Sequence, residues 1–288
     1  MGNYSRCRTH RKARLRLMVT SVDALTSLDE WNASWESEDL DLENIPTGFS
    51  DPLEQEVLKI LESYIDFESQ PQMIELGGAQ SVNLFRFCML GAVATTIDFS
   101  HVGLNHTKEL FIWHNKPVDL IEADIFELPF SSETKFDFVF SIGLCEHFVG
   151  ELRQRVFDVH KKLMRQSGLS LIVVPNICSP IYQLWYTASW FLQVVPSIGR
   201  KLGINIVSER AFSRRELESL TSVAGFETIQ VISSSFIHDI YFWLWINVKK
   251  FVARSLNLRV NFYVPGKYYR KTLLDPLFGN RHYIILKT

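Results

Sequence analysis

The sequence predicts an α/β fold, a mostly parallel sheet covered by helices on both faces. Three observations predict it. From Gln72 onward, short apolar runs alternate with stretches of helical period, the pattern of consecutive βα units. The first of those runs ends in a glycine-containing turn, IELGGAQS (74–81), that leads directly into a helical stretch. The chain has 288 residues, 47% of them hydrophobic, which suffices for one large domain of this kind or two smaller ones.

The elements follow in order. Before the alternation begins, SDPLEQEVLKILESYI carries the marks of a helix. Asp51 suits the cap, Pro52 the first helical position, and Glu54 completes a capping box. Leu53, Val57, Leu61 and Ile65 then recur on one face. MIEL (73–76) reads as a strand, Ser81 to Leu90 as a helix, AVATTID as a strand and GLNHTKELFIWH as a helix. VDLIEAD and KFDFVFSIG are further strands, ELRQRVFDVHKKLMRQ is a helix, and GLSLIVVPN is a strand. SRRELESLTSVAGFETIQVISS resumes the rhythm, and RHYIILKT is a final strand.

Two aromatic-rich insertions interrupt the second half, at about 177–211 and 236–279. Neither holds the roughly 20 uninterrupted apolar residues of a spanning helix, so no membrane span is expected. The organisation expected is a flexible segment over 1–45, basic then acidic, followed by one domain over 46–288. The basic part, Arg6 to Arg16, reads as a solvated tail. No apolar stretch follows it as in a secretory signal, and Met18 is an alternative start. Cys7, Cys88, Cys145 and Cys178 form no C-x-x-C pair. That fits a reducing, cytoplasmic setting, with Cys88 and Cys145 as core residues. A net charge of −2, with no basic stripe near the motifs, excludes a general pull toward nucleic acid.

Ligands of an open α/β sheet sit beyond the carboxyl ends of its strands, which is where IELGGAQS lies. Gly77 and Gly78 permit a tight turn and close approach of backbone to a ligand. Asp98 ends the second strand, where a carboxylate can accept both hydroxyls of a ribose. A dinucleotide turn started at Gly77 needs glycine at 79 and 82, yet the chain has Ala79 and Val82. This weakens an NAD-dependent oxidoreductase reading. The third strand ends in EADIFELPF, which places Asp124 for an adenine amino group and Ile125 against its ring. The fourth reads FDFVFSIGLCEHF and delivers Glu146 and His147.

Gly77, Asp98, EADIFELPF, KFDFVFSIGLCEHF and LMRQSGLSLIVVPN, in this order and spacing, resemble class I S-adenosylmethionine-dependent methyltransferases of the small-molecule group. The resemblance covers about residues 70 to 235, with the last strand returning at 280–287. It implies a Rossmann-like, doubly wound seven-stranded sheet with an antiparallel last strand. It also implies S-adenosylmethionine held by Glu75, Gly77, Gly78, Ala79, Asp98, Phe99, Asp124, Ile125 and the segment Ser141, Ile142, Gly143. Two departures stand out. The usual alternate glycines are here Gly77, Ala79 and Ser81, and the glycine-rich turn before the fifth strand is reduced to RQSG. A catalytically silent binding or scaffold protein is the rival these departures suggest.

Each candidate has a bland alternative. Glu75 either holds the turn or meets the cofactor, and the alternative for Asp124 is a cap on the next turn. For chemistry, Glu146 and His147 are the candidates. His147 titrates near neutrality and suits a base, or the pair caps the next helix. Some O-methyltransferases hold a divalent ion here with Glu-x-x-Glu-His, but Gly143 stands at the first Glu, so no metal is expected. Tyr263 and Lys267 have dehydrogenase-like spacing, but the Pro and Gly between them rule out a helix. Trp185, Trp190, Phe191, Tyr241, Phe242, Trp243 and Trp245 fall where a lid over an acceptor would sit. They suggest a small apolar acceptor, or, with Lys249, Lys250 and Arg254, peripheral contact with a membrane. Core of a cap subdomain and a dimer contact are the alternatives.

Overall fold

The computed structural model describes residues 23–36, 41–131, 133–194, 208–241, 244 and 271–288, and of 188–194 the backbone alone. The basic stretch, Met18, Tyr263, Lys267 and most of the second insertion, with Phe242, Trp243, Trp245, Lys249, Lys250 and Arg254, lie outside the described residues. So do the side chains of Trp190 and Phe191.

Seven strands form one sheet: β1 (Gln72–Leu76), β2 (Val93–Asp98), β3 (Asp119–Glu122), β4 (Phe136–Ile142), β5 (Met164–Pro175), β6 (Glu227–Ser233) and β7 (Arg281–Lys287). Their order is β3-β2-β1-β4-β5-β7-β6. The first five run parallel, and β7 is antiparallel to both neighbours. Strand order reverses between β1 and β4, so the switch point, and with it the natural ligand crevice, lies at the ends of these two strands.

Alternating side chains of the central strands feed two cores, one on each face. Leu169, Leu171 and Val173 of β5 pack on one side, with the helices α2 (Pro52–Glu62), α3 (Val82–Leu90) and α4 (His101–Trp113). Ile172 and Val174 pack on the other, with α5 (Gly150–Leu163) and α7 (Arg214–Val223). The first aromatic insertion forms α6 (Pro180–Val194), and a short α8 (Asp275–Phe278) precedes β7. No helix among the described residues is long and apolar enough to cross a membrane.

Local details differ from the sequence reading in three places. Asp51 caps α2 as expected, accepting from the Leu53 and Glu54 amides, but Glu54 does not close the capping box. Its carboxylate pairs with Arg86 of α3 at 3.1 Å, because a charged partner outcompetes a backbone amide. Helix α5 ends at Leu163, and Met164 already belongs to β5; the pairing jumps from Phe136↔Met164 to Phe138↔Leu169, so RQSG forms a bulge rather than a turn. Finally, part of the segment expected to be flexible forms a helix, α1 (Leu28–Glu36). A capping box closes it: the Glu30 carboxylate accepts from the Ser27 amide and hydroxyl, and Ser27 Oγ accepts from the Glu30 amide.

Candidate active site

The turn after β1 sits at the switch point. Gly77 adopts φ +69°, left-handed backbone that favours glycine, and a Cβ on Gly78 would lie 2.2 Å from Thr96 Oγ1. Three hydroxyls pin the turn. Ser81, Thr96 and Thr107 all donate to the Gly78 carbonyl, at 2.7, 3.2 and 3.1 Å. Ala79 is buried, and its methyl faces Gly103 of α4, where a Cβ would approach to 2.3 Å. The missing second glycine is thus matched by a glycine on the helix behind.

Two acids stand at the ends of the adjoining strands. Asp98 is buried and its Oδ1 accepts from the Ser100 amide at 2.7 Å. Burial pushes its carboxyl up to about 7. Glu75 is buried beside it, likewise pushed up to about 7, first by burial and then by the Asp98 charge. Its Oε2 has no hydrogen-bond partner. Ile125 is buried, whereas Asp124 is exposed, its Oδ1 accepting from the Phe126 amide. Phe99 and Ile142 are half-buried, and Gly143 is exposed. Ser141 is fully buried, and its hydroxyl is bonded to His160 Nε2 at 3.0 Å inside the core. Only its backbone is left to face a ligand.

Beyond β4, Glu146 and His147 lie in a single 3-10 turn, Cys145–His147. Burial pushes Glu146 up to about 8, with the Glu209 charge adding to it, and its Oε2 has no partner. His147 is buried, and its Nδ1 lies 2.8 Å from the Ser208 carbonyl. Burial pushes the imidazole down to about 4. Trp31 of α1 packs edgewise on this ring, 4.8 Å between centroids. The imidazole is therefore neutral and covered at neutral pH, with the Glu146 carboxyl beside it in the same turn.

Helix α1 is held over this region by Leu25 N donating to His147 O, by Val149 N donating to Asp23 O, and by Ser100 Oγ donating to Asn32 Oδ1. The sequence reading missed this helix, although T-S-L-D-E with Trp31 and Trp35 four apart signals a capped amphipathic turn. It also missed Glu209. One ligand atom each from Glu146, His147 and Glu209 lies within 4.8 Å of the others, a proximity created by the chain returning after α6.

A cleft of about 400 Å³ opens here, at the carboxyl ends of β4 and β5. Ile142, Gly143, Val173 and Pro175 form its base, Ile181, Tyr182 and Trp185 of α6 one wall, and Glu146, Glu209, Asp239 and Arg281 its charged lining. It shares Ile142 and Gly143 with the segment that faces the Gly77 turn.

A doubly wound sheet with β7 inserted antiparallel, a glycine turn at the switch point and acids at the ends of β1 and β2 is the frame of a Rossmann-like nucleotide-cofactor enzyme. Residues 74–172, about a third of the chain, match the family model described as a methyltransferase domain. That segment is a methyltransferase domain, and the sheet around it is consistent with the class I S-adenosylmethionine-dependent enzymes, whose methyl donor is S-adenosylmethionine. Among solved structures, one described under the conversion of a disulfide bond into a thioacetal group during echinomycin biosynthesis is 14% identical, with a TM-score of 0.54, covering 90% of this chain and 92% of that one. PKMT2 from Rickettsia typhi is 11% identical, with a TM-score of 0.51, over 77% of this chain and 49% of its own. Both likenesses are of fold. No curated protein matches the sequence.

The donor set fits this cofactor. The unpartnered Glu75 Oε2 and the buried Asp98 carboxylate offer acceptors to hydroxyl and ammonium donors, and the Gly77–Gly78 backbone leaves room for close approach.

Proposed function

We propose that the enzyme transfers a methyl group to a small acceptor with an apolar body, bound in the cleft beyond β4 and β5. The observation that carries this reading is the position of the cleft. It abuts Ile142 and Gly143, on the same side of the sheet as the Gly77 turn, Glu75 and Asp98.

Bound S-adenosylmethionine supplies a methyl carbon already activated by its sulfonium, so the protein's task is chiefly to align the acceptor. Asp98 accepts the ribose hydroxyls, and Glu75 an ammonium or hydroxyl donor. Gly77, Gly78 and Ala79 shape the turn, Phe99 and Ile125 flank the base, and Asp124 takes its amino group from the rim. The backbone of Ser141 to Gly143 lies between cofactor and acceptor. Ile181, Tyr182 and Trp185 exclude water from the acceptor. Glu146, held near neutrality by burial, takes a proton from it, and His147 fixes the turn that carries Glu146. The exposed Leu184, Trp185 and Tyr186 of α6 further support peripheral contact with a membrane surface, for which cosedimentation with anionic liposomes is the test.

Calorimetric titration with S-adenosylmethionine and S-adenosylhomocysteine tests the cofactor half. Wild type should bind both. Asp98→Ala should weaken binding by roughly two to four orders of magnitude, since two hydrogen bonds to a charged group are each worth about 1.5–3 kcal/mol. Failure of the wild type to bind either would overturn the reading and return the silent-scaffold alternative.

A further inference from the structure

We infer that the cleft selects an acceptor carrying a basic amine, held as a cation among Glu146, Glu209 and Asp239 with its apolar body against Ile181 and Trp185. The inference rests on the methyl-transfer reading and deepens it.

Among the described residues, three carboxyl groups and a single guanidinium line this cleft, so acids outnumber bases there. Glu146 Oε2 is buried without a partner, and a buried carboxylate oxygen requires a donor or a counter-charge. Glu209 stands beside Glu146, with ligand oxygens of the two within 4.8 Å of each other, so two acids share one corner of the cleft. Beside them stand Tyr182 and Trp185; carboxylates with aromatic faces are the chemistry that receives ammonium groups. A neutral apolar acceptor would leave the buried Glu146 Oε2 without a partner.

A divalent metal at Glu146, His147 and Glu209 accounts for less. It would sit beside the Arg281 guanidinium, whose charge acts on both carboxylates, and it leaves the aromatic wall unused. An ammonium carries half that charge and spans the whole cleft.

The transfer balances as follows. The ammonium gives one proton to the Glu146 carboxylate, freeing the nitrogen lone pair. That pair forms the N–C bond to the methyl carbon as the C–S bond breaks, its electrons passing to sulfur. A neutral thioether and an N-methylated ammonium result.

The test uses the full chain saturated with S-adenosylhomocysteine and three isosteric probes, phenylethylamine, phenylethanol and phenylacetate, titrated by calorimetry at neutral pH. The amine should bind about tenfold or more tighter than the alcohol, the acetate least, and the amine's advantage should shrink with added salt. Glu209→Gln should erase that advantage while S-adenosylhomocysteine affinity stays unchanged. Trp185→Leu, at a half-exposed site, should weaken amine and alcohol alike and guards against a folding defect in the first variant. Equal binding of amine and alcohol, or an advantage that survives Glu209→Gln, would overturn the inference. So would stoichiometric binding of manganese chloride abolished by Glu209→Gln without amine preference. S-adenosylhomocysteine is titrated first: its failure to bind sinks the methyl-transfer reading, while the amine titration of the unloaded chain still reports on the cleft.

Discussion

Arg153 shows how much one side chain can organise. It is buried on α5 with its guanidinium 3.4 Å from the Phe212 ring centroid. It donates to the Phe148 and Ala211 carbonyls, and its Nε lies 3.0 Å from the Glu216 carboxylate, close but outside hydrogen-bond alignment. It thereby ties the start of α5 to the strand-like stretch that brings Glu209 to the cleft. Arg153→Met removes the charge and orphans two carbonyls and Glu216, so stability should fall by about 3 kcal/mol, measurable by urea denaturation. Glu209 should also lose its register, visible as a changed amine affinity. At this scale the sequence was legible where a residue sits at a strand end: Glu75, Asp98 and Ile125 lie where the strand pattern places them. It was not legible where a side chain's direction decides. Ser141 turns inward to His160, and nothing in FSIGLCEH tells which way its hydroxyl points.

Among elements, α1 and α4 carry the instructive contacts. Trp31 covers His147, Trp35 stacks on Trp31 at 5.8 Å, and Gly103 of α4 receives Ala79. Gly103→Ala would drive its methyl to 2.3 Å from Ala79 Cβ. Such overpacking costs roughly 1–3 kcal/mol, and cofactor affinity should drop with stability because the displaced element is the binding turn. Trp31→Ala opens His147 to water. Its pKa, followed by NMR titration, should rise from about 4 toward the ordinary 6.5, because burial is the principal cause of its depression. The helices and strands of the βα units were legible because each announces itself through its own periodicity. Helix α1 and the approach of Glu209 were not, because they arise from contacts between segments far apart in sequence, such as Thr26 Oγ1 with the Ser208 carbonyl.

The whole molecule stores opposing titrations. Glu75, Asp98 and Glu146 hold their protons more tightly folded than unfolded. Each therefore favours the folded chain at low pH and loses that contribution as pH rises through about 7, 7 and 8. His147, His160 and His282, pushed down to about 4, 3 and 4, favour it above their ordinary 6.5 and oppose it as pH falls. Above pH 6.5 these imidazoles are neutral in both states, so the acids alone act. The melting temperature of the unliganded protein should decline from about pH 6.5 to about pH 8. If Asp98 takes the ribose hydroxyls as proposed, saturating S-adenosylhomocysteine should raise it most at the upper end, where that carboxylate is ionised. Scanning calorimetry with and without ligand measures both. A flat unliganded profile would mean that these acids are not held as their burial requires.

The placement of β7 has a consequence for synthesis. Its residues, 281–287, are made after all six other strands, yet it lies between two of them and is the sheet partner through which β6 is joined. Until it emerges, β5 presents an open edge and β6 has no place in the sheet, a state prone to wrong pairing. Arg281, the first residue of that strand, also lines the cleft. The nascent chain can therefore shape the Gly77 turn early, but the cleft lacks Arg281 until nearly every residue described has left the ribosome.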